Sequence, residues 1–188
     1  SGVASFWRPV IDRLSSPVES IAFDYPGYGG NPPNPAIRSL DDIASWIESY
    51  IDRPVVLFAQ SMGGGIGVRL ALRNPSMVRG LVLTGTLGGA SGRPKNLQSL
   101  HRDDVHRDQG ELDWLADDTI DIDIRMAYLP MPCLLIFGTN DPVAPRAQGE
   151  YLSKLLPNSK LVLVDTSSHF FVRDLPDEVA GYIGKFLE

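Results

Sequence analysis

Short, nearly uninterrupted apolar runs recur along the chain, at residues 20–24, 54–60, 80–84, 133–138 and 161–165. A strand that is apolar on both faces has no solvent side, so it belongs in a parallel sheet covered by helices above and below. The stretches between the runs carry helical spacing instead. Residues 6–14 place Trp7, Val10, Ile11 and Leu14 on one stripe, and residues 40–51 do the same with Leu40, Ile43, Ala44, Ile47 and Ile51. Residues 62–73, 147–156 and 176–187 complete the helix set. Alternation of strand and helix requires right-handed crossovers and gives a layered α/β domain. The parallel order expected is 54–60, 80–84, 133–138, 161–165, with 20–24 as a further strand, either detached from 54–60 by a strand-wide gap or collapsed onto it.

Residues 87–130 break this rhythm. They open on Gly88, Gly89, Gly92 and Pro94 and then turn strongly polar, with nine acidic residues against three arginines between 101 and 125. A stretch of this length inside a compact domain reads as an insertion over the sheet, a lid. The chain therefore divides into a first core segment (1–86), the insertion (87–130) and a second core segment (131–188), together forming one domain.

With 188 residues, the chain has the length of a single domain. The formal net charge of −6 argues against non-specific binding to a nucleic-acid backbone and against a polybasic membrane surface. A single cysteine, Cys133, excludes an internal disulfide and every cysteine-based zinc framework, and its place at the start of an apolar run marks it as inert core. No apolar run is long enough to span a bilayer and no secretory leader is visible, so a cytoplasmic location is expected.

The residues that carry chemistry lie at the ends of the apolar runs. Ala59-Gln60-Ser61-Met62-Gly63-Gly64 comes after one strand and opens a helix. Serine on such a sharp strand-to-helix turn presents its hydroxyl above the sheet edge, and small residues on either side let the two backbones pass. The usual pattern has glycine where Ala59 stands; alanine is still small. Serine needs a base. Of three histidines, only His169 comes directly after a strand, on the Thr166-Ser167-Ser168-His169 turn. Asp141, in Gly138-Thr139-Asn140-Asp141, ends another strand and reaches the same edge, either as orienting carboxylate or as a cap of the next helix.

In this order the motifs resemble the α/β-hydrolase fold, in its serine esterase, enol-lactonase and C–C hydrolase branch. The residues that carry the resemblance are Phe-Asp-Tyr-Pro-Gly-Tyr-Gly at 23–29, the Ser61 turn, residues 74–83, residues 135–143 and the His169 turn. The resemblance implies a three-layer, mostly parallel sheet flanked by helices. It makes Ser61 the nucleophile, His169 the general base and acid, Asp141 the orienting carboxylate and the Met62 backbone N–H an oxyanion donor. It implies a small carboxylic ester as substrate, an acyl-enzyme intermediate and no cofactor. It also implies a further central strand, between those matching 20–24 and 54–60, that ends in a His-Gly turn supplying a second oxyanion N–H. Residues 1–7 resemble the stretch just after that turn, so on this reading the chain is N-terminally truncated.

Other readings of the same residues are weaker. His101 and His106 with Asp103, Asp104 and Asp108 could suggest a metal site, but fit a solvated lid helix better. Gly63, Gly65 and Gly67 invite a dinucleotide reading, yet the next strand lacks the acidic residue that fingerprint needs; the glycines suit close packing under the turn. Outside the enzyme class, the alternative is a non-catalytic hydrolase-fold binding module; within it, a lactone or C–C bond hydrolase.

Overall fold

The computed structural model describes residues 2–86 and 123–188. The lid expectation, His101, His106 and the acidic stretch up to residue 122 lie outside the described residues. Four strands, β1 (Val55–Gln60), β2 (Val78–Thr84), β3 (Cys133–Gly138) and β4 (Ser159–Val164), form a sheet in the order β1-β2-β3-β4. Every pairing is parallel. This is the order expected from the apolar runs. Gln60 is in register with Thr84, Thr84 with Ile136 and Gly138 with Val164, so all four carboxyl ends reach one edge.

Helices cover both faces. On one face Leu81, Leu83, Leu135 and Phe137 are buried under α3 (Met62–Arg73) and α5 (Arg146–Leu155), through Val68, Ala71 and Leu152. The short α4 (Asp123–Met126) and the turn after it add Met126, Leu129 and Met131 to the same core. On the other face Val82, Leu134, Ile136 and Val164 meet α1 (Arg8–Ile11), α6 (Phe171–Asp174) and α7 (Pro176–Leu187) through Val10, Phe171, Val172, Val179 and Ile183. Burying two sheet faces is what makes these strands apolar at every position.

A serine cap sets the start of α2 (Leu40–Glu48), which packs on α3 through Ile43, Ala44, Ile47, Ile66 and Leu70. Ser39 Oγ accepts from the Asp42 N–H at 3.0 Å. The Asp42 carboxylate in turn accepts from the Arg38 N–H at 2.8 Å, and this bond together with a hydrogen bond from the Ser39 side chain holds its carboxyl below the usual range. Asp41 binds the buried Arg69 of α3 at 3.1 Å and also pairs with Arg73, tying the two helices together.

Residues 20–24 form no strand, which corrects the strand expected there, and they stand off from β1 across a gap, one of the two arrangements expected. Their polar contacts go to the amino-terminal stretch instead: Tyr25 N–H donates to the Gly2 carbonyl at 2.9 Å and Ala4 N–H to Asp24 Oδ1 at 2.7 Å. The physical reason lies in the space beside β1. A cleft of about 900 Å³ separates the two segments, lined by residues 18–23 on one side and by every residue from 54 to 60 on the other. A cleft against a strand's face would touch alternate residues; one touching consecutive residues runs along its backbone edge. Strand and sheet spacings of roughly 3.3, 4.8 and 10 Å give about 160 Å³ per residue, so the cleft has the size of about six extended residues. Segment 20–24 has the apolar character of a strand and no neighbour within pairing distance.

Candidate active site

Because the sheet is parallel, Ser61 after β1, Asp141 after β3 and His169 after β4 converge at one edge. Ser61 sits at φ 53°, ψ −119°, and it alone among the described non-glycine residues has positive φ. The strain is held by its neighbours. Ser61 N–H continues the ladder to the Thr84 carbonyl at 3.0 Å, and the Ser61 carbonyl accepts from Gly64 N–H at 3.0 Å and Thr86 Oγ1 at 2.7 Å. Such a conformation costs about 1–3 kcal/mol and persists only where the surroundings over-determine it.

The glycines after Ser61 make this packing possible. A Cβ on Gly64 would stand 2.0 Å from Thr86 Oγ1. A Cβ on Gly67 would meet the Ala59 methyl at 3.4 Å, and one on Gly63 would meet it at 3.9 Å. Both are ordinary contacts, so the Ala59 methyl is accommodated where glycine is usual; the close approach that requires glycine is at Gly64. The glycine run serves close packing.

His169 Nε2 lies 2.9 Å from Ser61 Oγ, and its Nδ1 lies 2.8 Å from Asp141 Oδ2. The side chain of Asp141 is fully buried and that of His169 is 11% exposed. Asp141 Oδ1 accepts from the N–H groups of Val143 at 2.8 Å and Ala144 at 3.1 Å. The two readings of Asp141 are therefore compatible: one oxygen caps the turn before α5 and the other faces the imidazole. A carboxylate on Nδ1 fixes the tautomer with Nδ1 protonated and leaves Nε2 as the acceptor aimed at the serine hydroxyl. This relay can draw the hydroxyl proton toward Nε2 and stabilise the imidazolium that results. Met62 opens α3, so its N–H is one of the first-turn amides that have no acceptor within the helix, at the helix's positive end.

Three polar residues around the site escaped the sequence reading. Gln60 Nε2 donates to the His169 carbonyl at 2.7 Å, Thr84 Oγ1 donates to Gln60 Oε1 at 2.7 Å, and Thr86 holds the Ser61 carbonyl. The available signal was a polar residue closing each of two apolar runs.

Burial pushes the Cys133 thiol up to about 12, and its Sγ donates to the Met131 carbonyl at 3.5 Å, in keeping with an inert core residue. Among the described residues no group of three or more histidine, cysteine or acidic side chains is placed to hold a metal ion. Among them, too, no helix is long and apolar enough to cross a membrane.

Residues 1–182 match the model of the alpha/beta hydrolase family, and the chain belongs to that family. It is a hydrolase of the esterase type. Among curated relatives it is similar to the pimeloyl-[acyl-carrier protein] methyl ester esterase of Neisseria meningitidis serogroup B (strain H44/76), 27% identical over 206 residues covering 85% of this chain and 79% of the relative. Two solved structures share its fold at a TM-score of 0.80, each covering 98% of this chain and 85% of the other: a thermophilic esterase from Thermogutta terrifontis with malate bound, 17% identical, and a meta-cleavage product hydrolase from Pseudomonas fluorescens IP01 complexed with acetates, 19% identical.

Proposed function

We propose that the chain is a serine hydrolase that cleaves a small carboxylic ester through an acyl-enzyme. The observation that carries this reading is the unbroken contact series from Ser61 Oγ through both ring nitrogens of His169 to a buried Asp141 carboxylate. Ser61 attacks the ester carbonyl carbon while His169 Nε2 takes its proton. The negative charge on the carbonyl oxygen is met by the Met62 N–H at the start of α3, where the helix dipole favours an anion. His169 then returns the proton to the departing alkoxide oxygen, the ester C–O bond breaks, and the acyl group stays on Ser61. Water, losing its proton to His169, attacks the acyl carbon and releases the acid, and the proton passes back to Ser61 Oγ. Asp141 keeps the imidazole in the tautomer these transfers need and stabilises its charged form. Every step uses groups of this chain, so the mechanism calls for no metal and no cofactor.

A carboxylic ester is favoured over a lactone or a C–C bond by the curated relative named above, itself a methyl ester esterase. The test is hydrolysis of p-nitrophenyl acetate and butyrate, monitored by release of p-nitrophenolate. Turnover is expected in the wild type and only background in Ser61→Ala and His169→Ala, with all three proteins folded by circular dichroism. Equal rates in the wild type and Ser61→Ala would remove the hydrolase reading and leave the binding-module alternative.

A further inference from the structure

The face of the sheet that carries Val56, Phe58, Val82, Leu134, Ile136 and Val164 is otherwise apolar, yet its carboxyl end holds a polar pair. Gln60 and Thr84 are register partners at the ends of β1 and β2, exposed by only 3% and 0%. A buried amide is costly unless each of its groups is bonded. Here both are. Thr84 Oγ1 donates to Gln60 Oε1 at 2.7 Å, and Gln60 Nε2 donates to the backbone carbonyl of His169 at 2.7 Å. The orientation of the amide is dictated: turned over, it would set two oxygens against each other at His169.

Gln60 is the chain neighbour of Ser61. Its hydrogen bond to His169 therefore spans the same gap as the catalytic contact, one residue upstream on the serine side and on the main chain rather than the ring. It adds a main-chain tie to the serine side beside the ring's own contacts with Asp141, Ser61 and Phe170. The turn around His169 is tied to itself by Ser168 N–H to Thr166 Oγ1 at 3.1 Å and Phe170 N–H to Ser168 Oγ at 3.1 Å, to the loop after β3 by Asn140 N–H to the Thr166 carbonyl at 3.0 Å, and to α6 by Ser168 Oγ to Asp174 Oδ2 at 2.5 Å. None of those bonds reaches β1.

We infer that Gln60, oriented by Thr84, is a positioning residue that sets the distance between Ser61 and the imidazole of His169. The inference rests on the serine-hydrolase reading above. Positioning can be tested apart from the Gln60–Thr84 bond itself, because in a double variant both ends of that bond become apolar groups of similar shape, while the His169 carbonyl loses its donor in the single and the double variant alike. Gln60→Met takes the nearer partner from the Thr84 hydroxyl, leaving it the Ala59 carbonyl at 3.4 Å, and frees the His169 carbonyl; Gln60→Met with Thr84→Val removes the hydroxyl as well while the tie stays broken.

The experiment measures kcat, KM and Tm on p-nitrophenyl butyrate for the wild type, Gln60→Met, Thr84→Val and the double variant, together with the low-field proton resonance of His169 Nδ1–H. In Gln60→Met, kcat is expected to fall about 10- to 100-fold, as for a small misplacement of a catalytic group, with KM nearly unchanged. The His169 resonance is expected to broaden away as the ring loosens. The double variant is expected to regain part of the lost Tm without regaining kcat. Recovery of kcat along with Tm, or a Gln60→Met enzyme with wild-type kcat, would overturn the inference and make the pair purely structural. Should the wild type turn over no ester, the hydrolase reading fails by itself. The His169 resonance then decides the tie: its loss in Gln60→Met supports it and its persistence refutes it.

Discussion

Asp141 divides its two oxygens between two tasks: Oδ1 receives the N–H groups of Val143 and Ala144, and Oδ2 faces His169 Nδ1 at 2.8 Å. The backbone bonds hold the carboxylate independently of the histidine, so the imidazole faces a fixed acceptor. Asp141→Asn keeps an oxygen for the two N–H groups but turns an NH₂ toward Nδ1. The ring must then carry its proton on Nε2, where it cannot accept from Ser61. Activity on p-nitrophenyl butyrate is expected to fall by roughly 10³–10⁴, the scale of a wrong-tautomer defect. Tm is expected to stay close to wild type in thermal unfolding. Asp141→Ala, which also strips the cap, should lose both activity and stability.

The strain at Ser61 makes a prediction of opposite signs. At φ 53° only glycine is at ease. Ser61→Gly is expected to raise stability, by about 1 kcal/mol after the added freedom of the unfolded chain is subtracted, while abolishing turnover. Ser61→Ala keeps a Cβ at the same φ and should abolish turnover without that gain. Denaturant unfolding of the three proteins side by side checks the ordering.

Two glycines of α3, three residues apart, should respond differently to the same substitution. In Gly64→Ala the new methyl would meet Thr86 Oγ1 at 2.0 Å and Thr86 Cβ at 2.5 Å, so the turn that holds the Ser61 carbonyl must shift. Loss of activity and a cost of several kcal/mol, beyond ordinary overpacking of about 1–3, are expected. In Gly67→Ala the nearest atoms are the Ala59 methyl at 3.4 Å and Leu81 Cδ2 at 3.8 Å, ordinary contacts. The helix preference for alanine, worth about 1 kcal/mol, should then show as equal or higher stability with activity retained.

Burial raises the Cys133 thiol to about 12 from its ordinary 9.0 and, with help from Tyr28, the Tyr25 phenol to about 12 from 10.0. Native Cys133 at pH 8 is then almost wholly protonated, whereas an exposed thiol is partly ionised there. A disulfide reagent should leave the folded protein unmodified and react with one thiol per chain in denaturant. Above pH 9 the unfolded chain gives up protons that the folded one keeps, so stability falls as pH rises from 9 toward 12. Cys133→Ala should flatten the part of that fall that begins near pH 9.

How much of the fold was legible in the amino-acid order depends on the range of the forces involved. β3 and α3 have the bounds their apolar runs suggested, because burial on two faces and a serine-glycine turn are written locally. Ser61, Asp141 and His169 could be found because each ends a strand, and a parallel sheet gathers strand ends. Residues 20–24 misled for the complementary reason: apolar character is local, but a ladder needs a neighbour, and the neighbour of this segment is a cleft. Gln60 and Thr84 were passed over because their meaning depends on a carbonyl 109 residues away in the chain. Nothing in the run at 54–60 announces that partner.

The central claim is that Ser61 is a nucleophile activated by His169. The most direct measurement is covalent labelling by an alkyl fluorophosphonate, which reacts with an activated serine by losing fluoride and is not released. Intact-mass and peptide mass spectrometry should find one phosphonyl group per chain, on Ser61, formed quickly in the wild type, far more slowly in His169→Ala and not at all in Ser61→Ala. A folded wild-type protein whose Ser61 stays unlabelled, or whose labelling rate is unchanged in His169→Ala, would contradict it.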